Sequence, residues 1–141
     1  MKFNDVVAWI LRSPFHWLMG KETLLISVTG RKSGQAVTLP VNFSREADEL
    51  WVISSRDRVW WRNLKSNDTA TLWLNGKSVR ARAQVVLDET AVGDRLTRLI
   101  AAKKWFANAL HIRLGEKNLP NADDLRRVSQ ERLFVRLKVE S

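Results

Sequence analysis

The chain has 141 residues, no cysteine, and 24 lysines and arginines against 15 aspartates and glutamates, a formal net charge of +9. This length predicts one domain with a core large enough to be stable without disulfides or a structural metal. The lack of cysteine excludes disulfides, zinc-thiolate sites and thiol catalysis. The cationic surplus favours anionic partners: nucleic acid, acidic lipid or a phosphorylated small molecule.

The first predicted segment covers residues 1–20 and is helical. Residues 3–12 carry apolar side chains at the three-and-four spacing of one helix face, and Ser13-Pro14 breaks that pattern. No apolar run approaches membrane-spanning length and the N-terminus lacks the order of a signal peptide, so we expect a cytoplasmic protein. An amphipathic helix at this end leaves a peripheral contact with an anionic membrane open.

Alternating apolar residues predict six strands, at 24–29, 37–43, 50–55, 69–74, 78–86 and 132–139. Pro40 has no N–H to give to a ladder, so its strand is expected to have an edge or a bulge there. Asn75-Gly76 is a strong signal for a two-residue hairpin turn.

Between the strands, residues 44–49 predict a polar turn and 56–67 a short helical segment with Asp57 as N-cap. Residues 88–110 predict a helix capped by Asp88, and 114–124 predict a loop. Together these elements predict a mainly β fold with flanking helices (α+β): a small antiparallel barrel of six strands forming a single domain over 1–141.

The stretch SVTGRKSGQ, residues 27–35, is the best candidate for an anion site. Gly30 and Gly34 bracket Arg31, Lys32 and Ser33 on the turn between two strands. Glycines permit a positive φ, and successive N–H groups in such a turn can form an anion-binding nest. Guanidinium and ammonium groups both suit phosphate. A solvated hairpin tip with two ordinary surface cations is the alternative.

A second candidate is SSRDRVWWRNL, residues 54–64. Ser54 and Ser55 end a strand, arginines add charge, and Trp60 and Trp61 follow at once. Cation, hydroxyl and indole together suit a phosphate-bearing aromatic ligand. The alternative is a core tryptophan beside a basic loop.

A third candidate is a basic strand face that could follow nucleic-acid phosphates, with Arg80 and Arg82 on the strand and Arg95, Arg98, Lys103 and Lys104 on the next helix. Such a face is more often merely solvated. His16 and His111 show no metal-binding spacing, and no GxSxG turn or Walker loop is present. An enzyme of this kind would need a cofactor to supply the reactivity.

The motifs TGRKSG, TLPVNF, LWVISSRDR, WWRNLKSN and NGKSVRARA, in this order, resemble the deazaflavin-dependent nitroreductase family, the coenzyme F-420-dependent quinone reductases, over roughly residues 9 to 87. The resemblance implies a split β-barrel of the flavin-reductase type, with deazaflavin coenzyme F-420 as cofactor and FMN as the alternative. By matching segments, the implied cofactor-binding residues are Arg31, Lys32, Ser33, Pro40, Val41, Asn42, Ile53, Ser54, Ser55, Arg56, Trp60 and Trp61.

The resemblance also implies the reaction, hydride transfer from the reduced deazaflavin to a quinone, enone or nitroaromatic acceptor. Ser55 is the implied catalytic residue, which would hydrogen-bond the acceptor oxygen and stabilise charge there. Partners are then a small-molecule acceptor and, because related barrels often pair, a second copy of the chain. A non-catalytic ligand-binding barrel and a nucleic-acid or anionic-membrane binding protein stay open as alternatives.

Overall fold

The computed structural model describes residues 23–74 and 76–140. The predicted helical segment 1–20 and Asn75 of the predicted hairpin turn lie outside the described residues. Within the described ranges, no helix is both long enough and apolar enough to cross a membrane.

Six described strands close into a barrel in the order β1-β2-β3-β6-β5-β4. The strands are β1 (Thr23–Thr29), β2 (Ala36–Glu46), β3 (Glu49–Ser55), β4 (Thr69–Leu74), β5 (Lys77–Val86) and β6 (Arg132–Val139). Strand β1 pairs antiparallel with β2 and with β4, β2 pairs antiparallel with β3, and β4 pairs antiparallel with β5. The predicted six-stranded barrel is confirmed.

Strand β2 is long and is paired differently along its two halves. Residues Ala36 to Asn42 pair with β1, whereas the described pairing with β3 covers only Phe43 to Glu46. Pro40 lies in the first half, opposite Leu25 of β1, so its missing N–H points to a side of the strand where no β3 partner is described. The edge predicted from Pro40 is therefore confirmed.

The turns of the barrel differ in part from their prediction. Leu74 pairs with Lys77, and Gly76 has a φ of 76°, which confirms the tight turn expected before β5. Strands β2 and β3 extend further than expected, so the polar turn predicted over 44–49 shrinks to Ala47 and Asp48. Ala47 has a φ of 54°, in the left-handed region that such a short reversal requires.

The segment 56–67 contains a 3-10 helix, Trp60–Lys65. The prediction that Asp57 caps it is wrong, because the N-cap position belongs to Val59 and no side chain bonds there. The helix is held instead by burial of Trp60, Trp61 and Leu64. Apolar burial is worth about 25 cal/mol per Å², which outweighs one missing cap.

After β5, the chain forms helix α1 (Glu89–Ala102) and a short helix α2 (Trp105–Ala109). Asp88 caps α1 by accepting a hydrogen bond from the backbone N–H of Ala91, as predicted. The single helix expected over 88–110 is wrong, because Lys103 adopts an extended conformation with a φ of −143°. No glycine or proline marks this break, so it is set by burial of Phe106, Ala107 and Leu110 beyond it.

The loop predicted over 114–124 is wrong at its end, because residues 122–124 form the first turn of a third helix, α3 (Ala122–Glu131). Its N-cap is Asn121, whose side chain accepts from the backbone N–H of Asp124 at 3.0 Å. Arg113 donates to the Asp124 carboxylate from Nε at 2.9 Å, and this bond lowers the pKa of Asp124. A short 3-10 helix, Glu116–Asn118, precedes α3.

Two compact units share the described residues. The first comprises residues 23–53, 58–85 and 135–140 and has a core that includes Leu24, Ile26 and Leu72, all with 0 % exposure. The second comprises residues 54–57 and 86–134 and is centred on apolar residues of its helices, such as Val92, Leu96 and Val128. The single domain over 1–141 stays a prediction.

Candidate functional site

A groove in the first unit is lined by both sides of the first hairpin tip, by the two residues before the 3-10 helix and by residues of that helix. We call it the tip groove. Its volume is about 420 Å³, within the range of roughly 300–1,000 Å³ typical of small-molecule sites. It is lined by Gly30, Arg31, Lys32, Ser33, Val37, Leu39, Arg58, Val59, Trp60 and Asn63.

The hairpin tip is tightly folded. A Cβ on Gly30 would lie 2.8 Å from Ser33 Oγ and 3.1 Å from the Gln35 carbonyl oxygen, so this position has no room for a side chain. Gly34 has a φ of 70°, which only glycine adopts without strain. The two glycines therefore shape the turn that carries Arg31 and Lys32.

The backbone N–H groups of the tip are largely committed within the protein. Gly30 N–H donates to the Gln35 carbonyl, Gly34 N–H to the Gly30 carbonyl, and Gln35 N–H to Ser33 Oγ. The N–H of Arg31 donates to the side chain of Asn63 at 3.0 Å. The nest of backbone donors that the glycines suggested is thus mostly used up, and side chains must supply an anion site here.

The charge of the tip groove is uniform. Its ionisable lining residues are Arg31, Lys32 and Arg58, and none of the described residues that line it is acidic. All three cationic side chains are exposed. Three like charges on one concave surface raise its affinity for an anion, and two guanidinium groups allow bidentate contacts with phosphate.

The groove also has an apolar wall. Val37 is 37 % exposed and Val59 is 62 % exposed, and both line the groove together with Leu39 and the buried Trp60. Val37 and Leu39 come from the half of β2 that pairs with β1 alone in the described ladder. Exposed valines beside clustered cations suit a ligand with an apolar body and a charged tail.

Four predicted cofactor-binding residues, Arg31, Lys32, Ser33 and Trp60, thus lie together in the tip groove. Of the other predicted residues in the first unit, Val41 and Trp61 are buried, Ile53 is half-buried, and Pro40 and Asn42 are exposed. Asn42 accepts a hydrogen bond from the Thr23 hydroxyl at 3.3 Å. The Trp61 ring is flanked by Arg62 at 5.4 Å and Lys65 at 5.3 Å.

Ser54, Ser55 and Arg56 belong to the second unit. The Arg56 guanidinium donates from Nε to the Arg132 carbonyl at 2.8 Å and from Nη2 to the carbonyls of Leu87 at 2.6 Å and Ser129 at 2.9 Å. These bonds give Arg56 a structural role inside its unit. Its assignment to cofactor binding stays a prediction.

Sequence reasoning did not assign Val59, Val37, Leu39 or Asn63 to the site, and it placed Arg58 only among the cations of the second candidate. Arg58 was a weak candidate, because Arg56 and Arg58 flank one aspartate and nothing local separates their roles. For Asn63 a signal existed, since asparagine is disfavoured in the interior of a helix and lies here in the predicted helical segment WWRNLK. Val37 and Leu39 carried no signal, because an alternating strand residue is expected in the core. Val59 carried none either, because a single valine outside a strand shows no period.

The third candidate, the basic strand face, is partly neutralised. Arg82 forms an ion pair with Asp68 at 2.9 Å and lies 3.6 Å from a carboxylate oxygen of Glu140. Asp68 and Glu140 therefore place negative charge on the surface that carries Arg82. A phosphate backbone approaching this surface would meet negative charge, which weakens the interpretation as a nucleic-acid interface.

The model of the F420H(2)-dependent quinone reductase family matches residues 14–106. The chain belongs to this family. The family consists of oxidoreductases that use the deazaflavin F-420 and a small-molecule acceptor, so the predicted enzyme class and cofactor are confirmed at the level of the family. The match spans the hairpin tip, the 3-10 helix and all ten residues of the tip groove.

Similar folds occur among solved structures. An F420-H2-dependent reductase, FDR-A, is 19 % identical with a TM-score of 0.52, and the match covers 85 % of this chain and 95 % of that one. A FAD-binding protein from Mesorhizobium loti is 12 % identical with a TM-score of 0.55, covering 89 % and 86 %. A third, solved as a domain-swapped dimer, is 16 % identical with a TM-score of 0.54, covering 96 % and 99 %. No curated protein matches the chain significantly.

Proposed function

We propose that this chain is an F-420-dependent reductase that holds the anionic part of its cofactor in the tip groove. The observation that carries this proposal is the set of three cations and two exposed valines lining one groove without an acid among its described lining residues. The family supplies the cofactor, and the groove supplies a place whose chemistry suits it.

The residues of the groove fit a deazaflavin that carries a phosphate. Arg31, Lys32 and Arg58 offer charge-assisted donors to phosphate oxygens, and the Ser33 hydroxyl adds a neutral donor. Val59 and Trp60 offer an apolar surface to a ring system. FMN also combines a phosphate with a fused ring, so the same residues suit the alternative cofactor.

The contribution of the chain is binding, orientation and exclusion of water. When bound, the reduced deazaflavin supplies the hydride that reduces the acceptor. With the phosphate held by Arg31 and Arg58, the cofactor has less freedom to rotate, which lowers the entropic cost of reaching a reactive geometry. Val37 and Val59 displace water from the apolar part of the ligand, which strengthens the polar contacts beside it.

The decisive experiment is a titration of F-420 into wild type and the double variant Arg31→Ala with Lys32→Ala, followed by tryptophan fluorescence. We expect a loss of affinity of about 10- to 100-fold, because each charge-assisted contact with phosphate is worth roughly 1.5–3 kcal/mol and part of this is screened at an exposed site. The unfolding midpoint should change little, because both side chains are exposed.

The matched control is Lys77→Ala with Lys138→Ala, which removes two exposed cations of the same unit that do not line the tip groove. This variant should bind F-420 like wild type. Equal losses in both double variants would point to a general effect of net charge and would reject the groove as the phosphate site. Binding of F-420 without reduction of any quinone would favour the non-catalytic alternative.

Ser55 remains our proposal for the residue that binds the acceptor oxygen. It is half-buried at the end of β3, and its hydroxyl could stabilise charge that develops on a quinone oxygen. Ser55→Ala should then lower kcat for a quinone by about 100- to 1,000-fold while the Kd for F-420 stays unchanged, because one such donor is worth roughly 2.7–4 kcal/mol. A fall in F-420 affinity with an unchanged kcat would reject this role.

We also propose a homodimer located in the cytoplasm. The solved domain-swapped dimer of similar fold supports pairing, although at 16 % identity that likeness concerns the fold alone. A cytoplasmic location is supported by the need to re-reduce the cofactor after each turnover. Light scattering of the purified protein at several concentrations would test the dimer. A constant mass near the monomer's 16.3 kDa would reject it.

A further inference from the structure

The hairpin tip and the 3-10 helix are joined by one side-chain hydrogen bond. Asn63 Oδ1 accepts from the backbone N–H of Arg31 at 3.0 Å, across 32 positions of sequence. Because the donor is an N–H, the oxygen of the amide must face it, which fixes the orientation of the amide group. Asn63 itself lines the tip groove.

The other described hydrogen bonds of the tip are local. Gly30 bonds to Gln35 and to Gly34, and Gln35 bonds to Ser33, so these bonds shape the turn without fixing it to the rest of the unit. A turn whose hydrogen bonds all lie within the turn can move as a rigid unit relative to the two strands that carry it. Asn63 supplies a connection to the rest of the unit at Arg31, which lines the tip groove.

The partner end of this connection is well anchored. Asn63 lies in the 3-10 helix Trp60–Lys65, between the buried Trp61 and Leu64. Its carbonyl accepts hydrogen bonds from the N–H groups of Ser66 at 3.2 Å and Asn67 at 3.1 Å. Its backbone is therefore held by the residues that follow it, and the hydrogen bond that its side chain accepts restrains the tip.

We infer that Asn63 is a positioning residue that pre-organises Arg31 and Lys32 for an anion by tying the hairpin tip to the 3-10 helix. This inference rests on the proposed function of the tip groove. Restraining the tip before the ligand arrives removes part of the ordering cost of binding. A neutral amide does this without adding a negative charge to a cationic groove, whereas a carboxylate at position 63 would oppose the anion.

The first test needs no cofactor. Amide hydrogen exchange of Arg31, followed by NMR, reports on the tie directly. Asn63→Ala should accelerate exchange at Arg31 about 10-fold or more, because loss of the hydrogen bond also frees the tip to open. Asn63→Asp keeps the acceptor and should retain the protection. Unchanged exchange in Asn63→Ala would overturn the inference.

The matched control is Asn67→Ala. Asn67 also accepts a backbone hydrogen bond through its side chain, from Thr69 N–H at 3.1 Å, but it does not line the tip groove. This variant loses the same kind of bond in a nearby turn. It should leave Arg31 exchange and F-420 affinity unchanged, and equal effects in both variants would show that Asn63 acts only through general stability.

The second test is a comparison of two ligands, F-420 and a deazaflavin riboside that lacks the phosphate. Asn63→Ala should weaken F-420 binding about 3- to 10-fold, the value of one net hydrogen bond, and leave binding of the riboside unchanged. In the background Arg31→Ala with Lys32→Ala, adding Asn63→Ala should cause no further loss. A full further loss in that background would overturn the positioning role.

The two hypotheses fail in different ways. If wild type binds no F-420, or if removing Arg31 and Lys32 leaves its affinity unchanged, the proposed function fails whatever Asn63 does. If the loss of Arg31 and Lys32 weakens binding and the loss of Asn63 changes neither Arg31 exchange nor affinity, the groove stands and the role of Asn63 is rejected.

Discussion

The Nη2 group of Arg56 lies 2.6 Å from the carbonyl oxygen of Leu87, across 31 positions of sequence. With the bonds to Ser129 and Arg132, a single guanidinium connects three carbonyls of the second unit. Arg58, two residues later, lines the tip groove instead. Two arginines that are two residues apart thus have different roles: Arg56 binds backbone carbonyls, and Arg58 lines the groove.

Arg56→Ala should destabilise the fold. Its loss leaves three carbonyls without their donor, and bonds to a charged group contribute roughly 1.5–3 kcal/mol each, partly recovered by water. We expect the free energy of unfolding to fall by about 2–4 kcal/mol, measured by urea denaturation. Arg58→Ala is the control and should change it by less than about 0.5 kcal/mol, because exposed substitutions rarely do more. Stable Arg56→Ala protein that has lost F-420 affinity would instead support the ligand-binding role read from sequence.

Arg58→Ala should weaken cofactor binding selectively. We expect about a 10-fold rise in the Kd for F-420 and a shallower dependence of that Kd on salt, because one phosphate-directed cation is gone. Fluorescence titrations at low and high ionic strength would measure both. Lys138→Ala, an exposed cation on β6, should leave both unchanged. An unchanged salt dependence in Arg58→Ala would remove Arg58 from the anion site.

The pKa of Asp124 is lowered, chiefly by the hydrogen bond from Arg113, with its charge adding to the effect. A carboxyl whose pKa is lower in the folded than in the unfolded state stabilises the fold at any pH above its unfolded value of about 3.9. That stability is lost as the pH falls from there through the folded-state pKa.

Asp124→Asn should therefore lower the thermal midpoint by a few degrees at pH 7 and by less near pH 3, which lies below the unfolded-state pKa, because the stabilising contribution is lost as the pH falls towards the folded-state pKa. Asp123→Asn is the matched control. Its carboxylate is 82 % exposed and pairs with Arg126 at 3.3 Å, so it should change little at either pH. A deficit in Asp124→Asn that is equal at both pH values would contradict the ionic origin.

Gly34→Ala should test the conformation of the tip. A Cβ at Gly34 meets nothing within 4 Å, so a substitution there has only the cost of a φ of 70°. We expect a loss of about 1 kcal/mol in the free energy of unfolding, and a smaller loss for Gly34→Asn, because asparagine tolerates the left-handed region better. No loss in Gly34→Ala would mean that the turn does not depend on its backbone angle.

Much of the barrel could be predicted because its signals are local. Alternation in LLISVT and RLFVRLKV predicts strands. The cap of α1 could be predicted as well, because Asp88 stands directly before the first helical residue and its side chain can accept a hydrogen bond there. Helix α3 was missed because only Leu125 and Val128 in it are strongly apolar, which is too few to show a period. Asn121 with Asp123 and Asp124 formed the cap signal that would have revealed it.

By itself, the sequence determined which segments alternate, where the tight turns lie, and that the first tip carries two cations, because these depend on neighbours a few residues apart. Only the tertiary structure decided that Arg58 lines the groove while Arg56 binds carbonyls, and that Asn63 reaches Arg31. The donors and acceptors of those contacts are 31 to 76 positions apart. Which of them meet depends on how the strands pair and close, and no local pattern encodes that.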